Sequence, residues 1–220
     1  MMLWVIFMKN NLLFPILLLI IYILINTLFS NASLLLNIIL LFIMILSINR
    51  NHLNEHYGLC LSRIESRKFL YYLPLLMLIG VNLINGIRCN VSFLEIINIV
   101  MISINEEMIF RGFIFKAIDK NVAIIVSLSS YIICHLIIYD YSNIYLEILS
   151  SLILGYMYLL LIDKSGSLLA SIVTHSLMSI TLLLRIDGTI INDLMLLIIS
   201  FLIAVDYCLF MIHTIKKPSL

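Results

Sequence analysis

Apolar residues run almost unbroken through eight stretches of this chain, at positions 12–29, 33–48, 69–84, 92–118, 122–139, 143–162, 167–184 and 194–215, with short polar breaks between them. Each stretch is near or above the length a helix needs to cross a bilayer, the second and third being short. The pattern predicts an all-α, multi-pass membrane bundle of about eight transmembrane helices. No linker, charge block or low-complexity tract divides it, so residues 1–220 read as a single integral-membrane domain without the internal repeat typical of transporters. The first run follows Lys9 as a signal peptide would. No small-residue cleavage site comes after it and seven further spans do, so it reads as a retained helix.

The polar residues inside these runs recur at helical spacing. In lipid, polar side chains turn toward the bundle interior, so the spacing marks the inner face. On the fourth run Glu95, Asn98, Asn105 and Glu106 stand at offsets 0, 3, 10 and 11 and share one face. The fifth carries Ser127, Ser130, Tyr131, Cys134 and His135 at offsets 0, 3, 4, 7 and 8, and the seventh carries Ser171, Thr174, His175, Met178 and Ser179 at the same offsets. Counted from their cytoplasmic ends, Glu106, His135 and His175 stand roughly 18, 20 and 12 Å into the membrane at about 1.5 Å per residue. The latitude in helix ends is wide enough for the three to share one level. The residues that bear on function therefore gather in a core at 92–184.

Charge changes the picture most at the fourth run. A charge at the centre of a membrane helix costs about 2.5 to 3.5 kcal/mol, and Glu106, Glu107 and Arg111 place three in one segment. Arg111 lies four residues beyond Glu107 on the same side, so these two make each other tolerable. Glu106 has no basic partner at helical spacing, which marks it for chemistry or transport. Ser127, Ser130, Ser171 and Thr174 read as helix-packing residues or bonders to their own backbone carbonyls, and His135 and His175 taken singly fit a structural role as well as a functional one.

The composition, 63% hydrophobic and 11% charged with a mean hydropathy of +1.17, excludes a soluble globular domain. The net charge of +1 comes from scattered basic residues with no stripe for nucleic acid. Under eight spans one face of the membrane receives Lys9, Arg50, Arg63, Arg67, Lys68, Lys116, Lys120, Lys164, Lys216 and Lys217, and the other only Arg88 and Arg185. The positive-inside rule then predicts a cell-membrane protein with both termini in the cytoplasm. Cys60, Cys89, Cys134 and Cys208 show no paired spacing and read as free thiols. His52 and His56, in the polar loop at 49–68, read as solvated.

Glu106 to Arg111 spells EEMIFR, Tyr131 to His135 spells YIICH, and His175 to Ser179 spells HSLMS. In order and spacing these resemble the three motifs of the CPBP family, the type II CAAX prenyl endopeptidases and bacteriocin-processing membrane proteins also called Abi: EExxxR, FxxxH and HxxxN. Tyr131 replaces the usual phenylalanine, and Ser179 the usual asparagine with a single donor on a shorter side chain. The resemblance implies intramembrane hydrolysis of a peptide bond, with a membrane-associated peptide or protein as substrate. The residue matching Glu106 would act as general base toward a water, assisted by that matching His135. Those matching His175 and Ser179 would donate to the oxyanion, and the pair matching Glu107 and Arg111 would hold the site together.

Zinc is an open expectation. Glu106, His135 and His175 are adequate ligands and the family is often labelled metalloprotease, yet the HExxH spacing that prebuilds a zinc site is absent. Two further functions remain. A non-catalytic protein for bacteriocin self-immunity or scaffolding draws weight from Ser179. A proton-coupled transporter would also use intramembrane Glu and His, but it is disfavoured by the missing repeat and by the scarcity of Gly and Pro within the spans.

Overall fold

The computed structural model describes residues 13–29, 32–50, 59, 79–81, 83, 84, 86–138, 144–186, 198, 199, 202, 203, 205, 206 and 209. The expected spans at 69–84 and 194–215, and the loop at 49–68 with His52, His56 and Cys60, lie largely outside these residues. Cys208 and the chain ends lie outside them too.

Long apolar runs with few helix breakers form helices, and the described elements fall on six of the runs. They are α1 (Leu13–Leu28), α2 (Ser33–Arg50), α3 (Phe93–Glu106), α4 (Lys120–Ile138), α5 (Ile144–Ser165) and α6 (Leu168–Leu184). Between α3 and α4 the same helix continues as wider π turns over Glu107–Ile114 and closes with an α turn at Phe115–Ala117. No strand occurs among the described residues, so the described fold is all-helical. By length and composition one helical segment among them, Asn121–Ile138, suffices to cross a bilayer, while Leu13–Leu28, Ser33–Asn49, Ile148–Asp163 and Leu168–Leu184 are apolar but shorter.

The burial pattern is inside out relative to a water-soluble bundle. Leu17, Leu35, Phe42, Ile125 and Val173 are exposed on the outer faces, whereas Asn37, Glu107, Arg111, Ser127 and Ser171 are fully enclosed. An apolar outside around a polar inside is what an acyl solvent selects.

Helix α3 packs against α2 and α6, and α5 against α4 and α6, so the motif-bearing helices are neighbours. Three local devices set their register. Ser92 caps α3 in a reciprocal box with Glu95, whose Oε2 accepts from the Ser92 backbone N–H at 2.7 Å. Glu95 is therefore exposed and engaged at the helix mouth, not on the interior face that its spacing suggested, because an unpaired helix N-terminus offers it backbone donors. The Arg88 N–H donates to Leu184 O at 2.7 Å, tying the approach to α3 onto the end of α6. The short connection from α5 to α6 turns at Gly166, whose φ of 66° suits a residue without Cβ.

The π turns are the departure that matters most for the site. They start at Glu107, so Glu106 keeps the α register of the preceding turns while Glu107 and Arg111 belong to the wider coil. All eight residues of the π segment are buried. Ser127 Oγ of α4 donates to Phe110 O at 2.8 Å, fastening α4 to that segment.

Candidate active site

The two adjacent glutamates face different partners. Glu107 sits at the centre of a cluster of donors: its Oε1 accepts from Arg111 Nη1 at 3.0 Å and from His175 Nδ1 at 2.8 Å, and its Oε2 accepts from Ser171 Oγ. Arg111 is fully buried, with its guanidinium 4.1 Å from the centroid of the Tyr131 ring and Nη2 reaching Gly155 O at 3.5 Å. A buried guanidinium paired with a carboxylate and laid on an aromatic face is the arrangement in which arginine tolerates loss of water.

Glu106, also buried, has no arginine or lysine counter-charge among the described residues. Its Oε1 accepts from the Tyr22 hydroxyl of α1 at 2.7 Å. Its Oε2 lies 3.5 Å from His135 Nε2 and 3.5 Å from His175 Nε2. The imidazoles come from α4 and α6 and are braced by aromatics, His135 by Tyr131 at 4.3 Å between centroids and His175 by a stacked Tyr158 at 4.7 Å. Because a carboxylate only accepts, the bond to Glu107 places a proton on His175 Nδ1 and aims Nε2 at Glu106. The His135 side chain is 15% exposed against 2% for that of Glu106, so the trio is more open on the α4 side.

Of the residues singled out by sequence, Glu106, Glu107, Arg111, His135 and His175 stand in one contiguous cluster. Ser179 is placed differently. Ser103 Oγ bonds Ile99 O at 2.9 Å, and since that carbonyl only accepts, Ser179 Oγ is the donor in its 3.0 Å bond with Ser103 Oγ. Among the described residues it makes no hydrogen bond to Glu106, His135 or His175. Thr174 bonds its own helix at Ala170 O and Ser171 O, whereas Ser171 reaches across to Glu107 instead of its own backbone.

Sequence reasoning missed Tyr22, Tyr158 and Gly155. Tyr22 and Tyr158 lie in runs without a polar seam, and nothing in the spacing sets them apart. Gly155 leaves room for Arg111: a Cβ there would meet Leu128 Cδ2 at 3.1 Å and Arg111 Nη2 and Tyr131 Cδ1 at 3.2 Å. Gly155→Ala is expected to destabilise the protein by about 1 to 3 kcal/mol through overpacking, seen as a lower unfolding midpoint in detergent.

A metal needs donors converging at about 2.0 to 2.2 Å on one point. Among the described residues no ready-made group of three His, Cys, Asp or Glu side chains is gathered around a metal position; Glu106 Oε2, His135 Nε2 and His175 Nε2 are the atoms that would hold a zinc, with His175 oriented through Nδ1 by Glu107. No step below passes through a metal.

Among the described residues, an all-helical bundle encloses a carboxylate between two imidazoles beneath an apolar outer face, an arrangement suited to a membrane protein. Residues 89–181 match the family model described as type II CAAX prenyl endopeptidase Rce1-like. The matched segment contains the three motifs, Glu106 to Arg111, Tyr131 to His135 and His175 to Ser179, so this part of the chain is similar to a CAAX protease family. No curated protein and no solved structure matches the chain.

Proposed function

We propose that the protein is an intramembrane endopeptidase that hydrolyses a peptide bond with a water activated by Glu106, in CAAX-type or peptide-precursor processing. The observation that carries this reading is the placement of Glu106 Oε2 at 3.5 Å from an imidazole nitrogen on each of two other helices. Atoms so spaced suit one water hydrogen-bonded at about 2.7 to 2.8 Å to each. The Rce1-like match supports the reaction class.

The water oxygen attacks the scissile carbonyl carbon while one of its protons passes to Glu106 Oε2, with His135 orienting the water. Negative charge collects on the carbonyl oxygen, where His175, held through Nδ1 by Glu107, is the nearest donor when Nε2 is protonated. The tetrahedral centre then collapses, the C–N bond breaks, and the leaving nitrogen takes the proton back from Glu106. Ser179 joins as an oxyanion donor only after its hydroxyl leaves Ser103. The bundle is read as eight spans with both termini in the cytoplasm, which puts this chemistry at membrane depth.

The reading is tested by following cleavage of a prenylated CAAX peptide by the purified protein and by comparing membrane peptidomes of cells carrying the parent or Glu106→Ala. Fragments present with the parent and absent with the variant support it; identical peptidomes and equal cleavage overturn it. If the base works without a metal, a strong chelator is expected to leave the cleavage rate within about twofold of the untreated protein, well short of the loss that follows when a metal-bound nucleophile is removed. Loss of activity that zinc restores would show the opposite.

A further inference from the structure

Glu106 is gripped from a helix that carries none of the three motifs. Tyr22 of α1, fully enclosed, donates its phenolic proton to Glu106 Oε1 at 2.7 Å across 84 positions of sequence. A glutamate side chain has a soft terminal torsion, so an unheld carboxylate would rotate both oxygens through the site. With Oε1 held, Oε2 is the oxygen left facing His135 and His175.

A second set of bonds keeps α1 where Tyr22 can do this. Asn105, next to Glu106 in the chain, donates through Nδ2 to Asn37 Oδ1 of α2 at 2.9 Å and to Asn37 O at 3.1 Å. Asn37 Nδ2 donates to Asn26 Oδ1 of α1 at 3.0 Å, and Asn26 Nδ2 to the backbone oxygen of Tyr22 at 2.9 Å. The polar circuit therefore leaves α3 beside Glu106, crosses α2, reaches α1 at Tyr22, and returns to Glu106 through the phenol. Between apolar helices a lost amide bond finds no ready substitute, so the circuit fixes the register of α1 against α3.

We propose that Tyr22 is a positioning residue of the hydrolytic site, holding Glu106 so that a single carboxylate oxygen serves as base, and that the Asn26, Asn37 and Asn105 ladder sets its reach. This rests on the reading of Glu106 as the base. Tyr22→Phe keeps the ring and removes the donor. It is expected to lower kcat by about ten- to a hundredfold, the range for one hydrogen bond to a charged group. KM should stay within about twofold, because Tyr22 acts on the base and not on bound substrate. Asn37→Ala should lower kcat in the same direction.

Two measurements separate this inference from the function it rests on. If the parent cleaves and Glu106→Ala does not, while Tyr22→Phe keeps parental kcat or changes only KM, the positioning role is overturned and the base assignment stands. The second is a double-mutant cycle on the unfolding midpoint in detergent, which needs no activity. Tyr22→Phe should lower the midpoint in the parent and leave it nearly unchanged in the Glu106→Ala background. Equal drops in both backgrounds would overturn the grip of Tyr22 on Glu106 whatever the protein cleaves.

Discussion

Glu106→Gln is expected to abolish peptide-bond cleavage while leaving a folded protein. Glutamine has the same shape and keeps an oxygen that can accept from Tyr22, so the contact with α1 survives. Its other terminal atom becomes an amide nitrogen, which cannot take a proton from water and would present hydrogens to the space between His135 and His175. A positioned general base contributes roughly 10²- to 10⁴-fold to a rate, and here the same group also returns the proton to the leaving nitrogen. The loss should therefore lie at or above the upper end of that range. The check is a pair of measurements on one sample: cleavage of the substrate peptide, and the unfolding midpoint to show that the fold is kept. A variant as fast as the parent removes Glu106 from the chemistry. A cellular phenotype that survives the substitution would instead favour the immunity or scaffolding role.

How far the sequence could go is seen in which residues it paired. The polar seams of α4 and α6 were legible because His135 and His175 each head a row of small polar side chains at helical spacing, and in lipid such a row has only one place to point. The pairing of Glu107 with Arg111 was legible too, since neither charge is tolerable at that depth alone. Glu95 misled because the same spacing rule ignores helix ends, where a carboxylate finds free backbone donors. The contacts of Glu106 with α1 were not legible at all: Tyr22, Asn26 and Asn37 are scattered polar atoms in runs of Leu and Ile, and their meaning arises only when α1, α2 and α3 pack. The π turns at Glu107–Ile114 were equally hidden, because EEMIFRG fits a plain α-helix as well. Ser179 shows the reverse limit. Its motif position suggested a catalytic donor, and a neighbouring hydroxyl, Ser103, holds it elsewhere.

Removing one charge of the buried pair should have the largest effect on stability. Arg111→Met keeps an unbranched side chain of comparable length and takes away the guanidinium, leaving Glu107 enclosed with only Ser171 and His175 as partners. Breaking a buried pair from one side typically destabilises by about 3 to 5 kcal/mol, because the remaining charge has lost both water and counter-ion. The stacking of Arg111 on Tyr131 is lost as well. Arg111→Lys restores the charge but not the planar fork or the stack, so its stability should fall between parent and methionine variant. The informative comparison is Glu107→Gln combined with Arg111→Met, which removes both charges. If the penalty is the uncompensated carboxylate, the double variant unfolds at a higher midpoint than Arg111→Met alone, the opposite of additivity. If the double variant is worse than either single one, the pair contributes through packing and hydrogen bonds and not through charge balance. Because a neutral glutamine at 107 can still accept from His175 Nδ1 but supports a positively charged imidazole less well than the carboxylate does, the stable double variant should still cleave slowly.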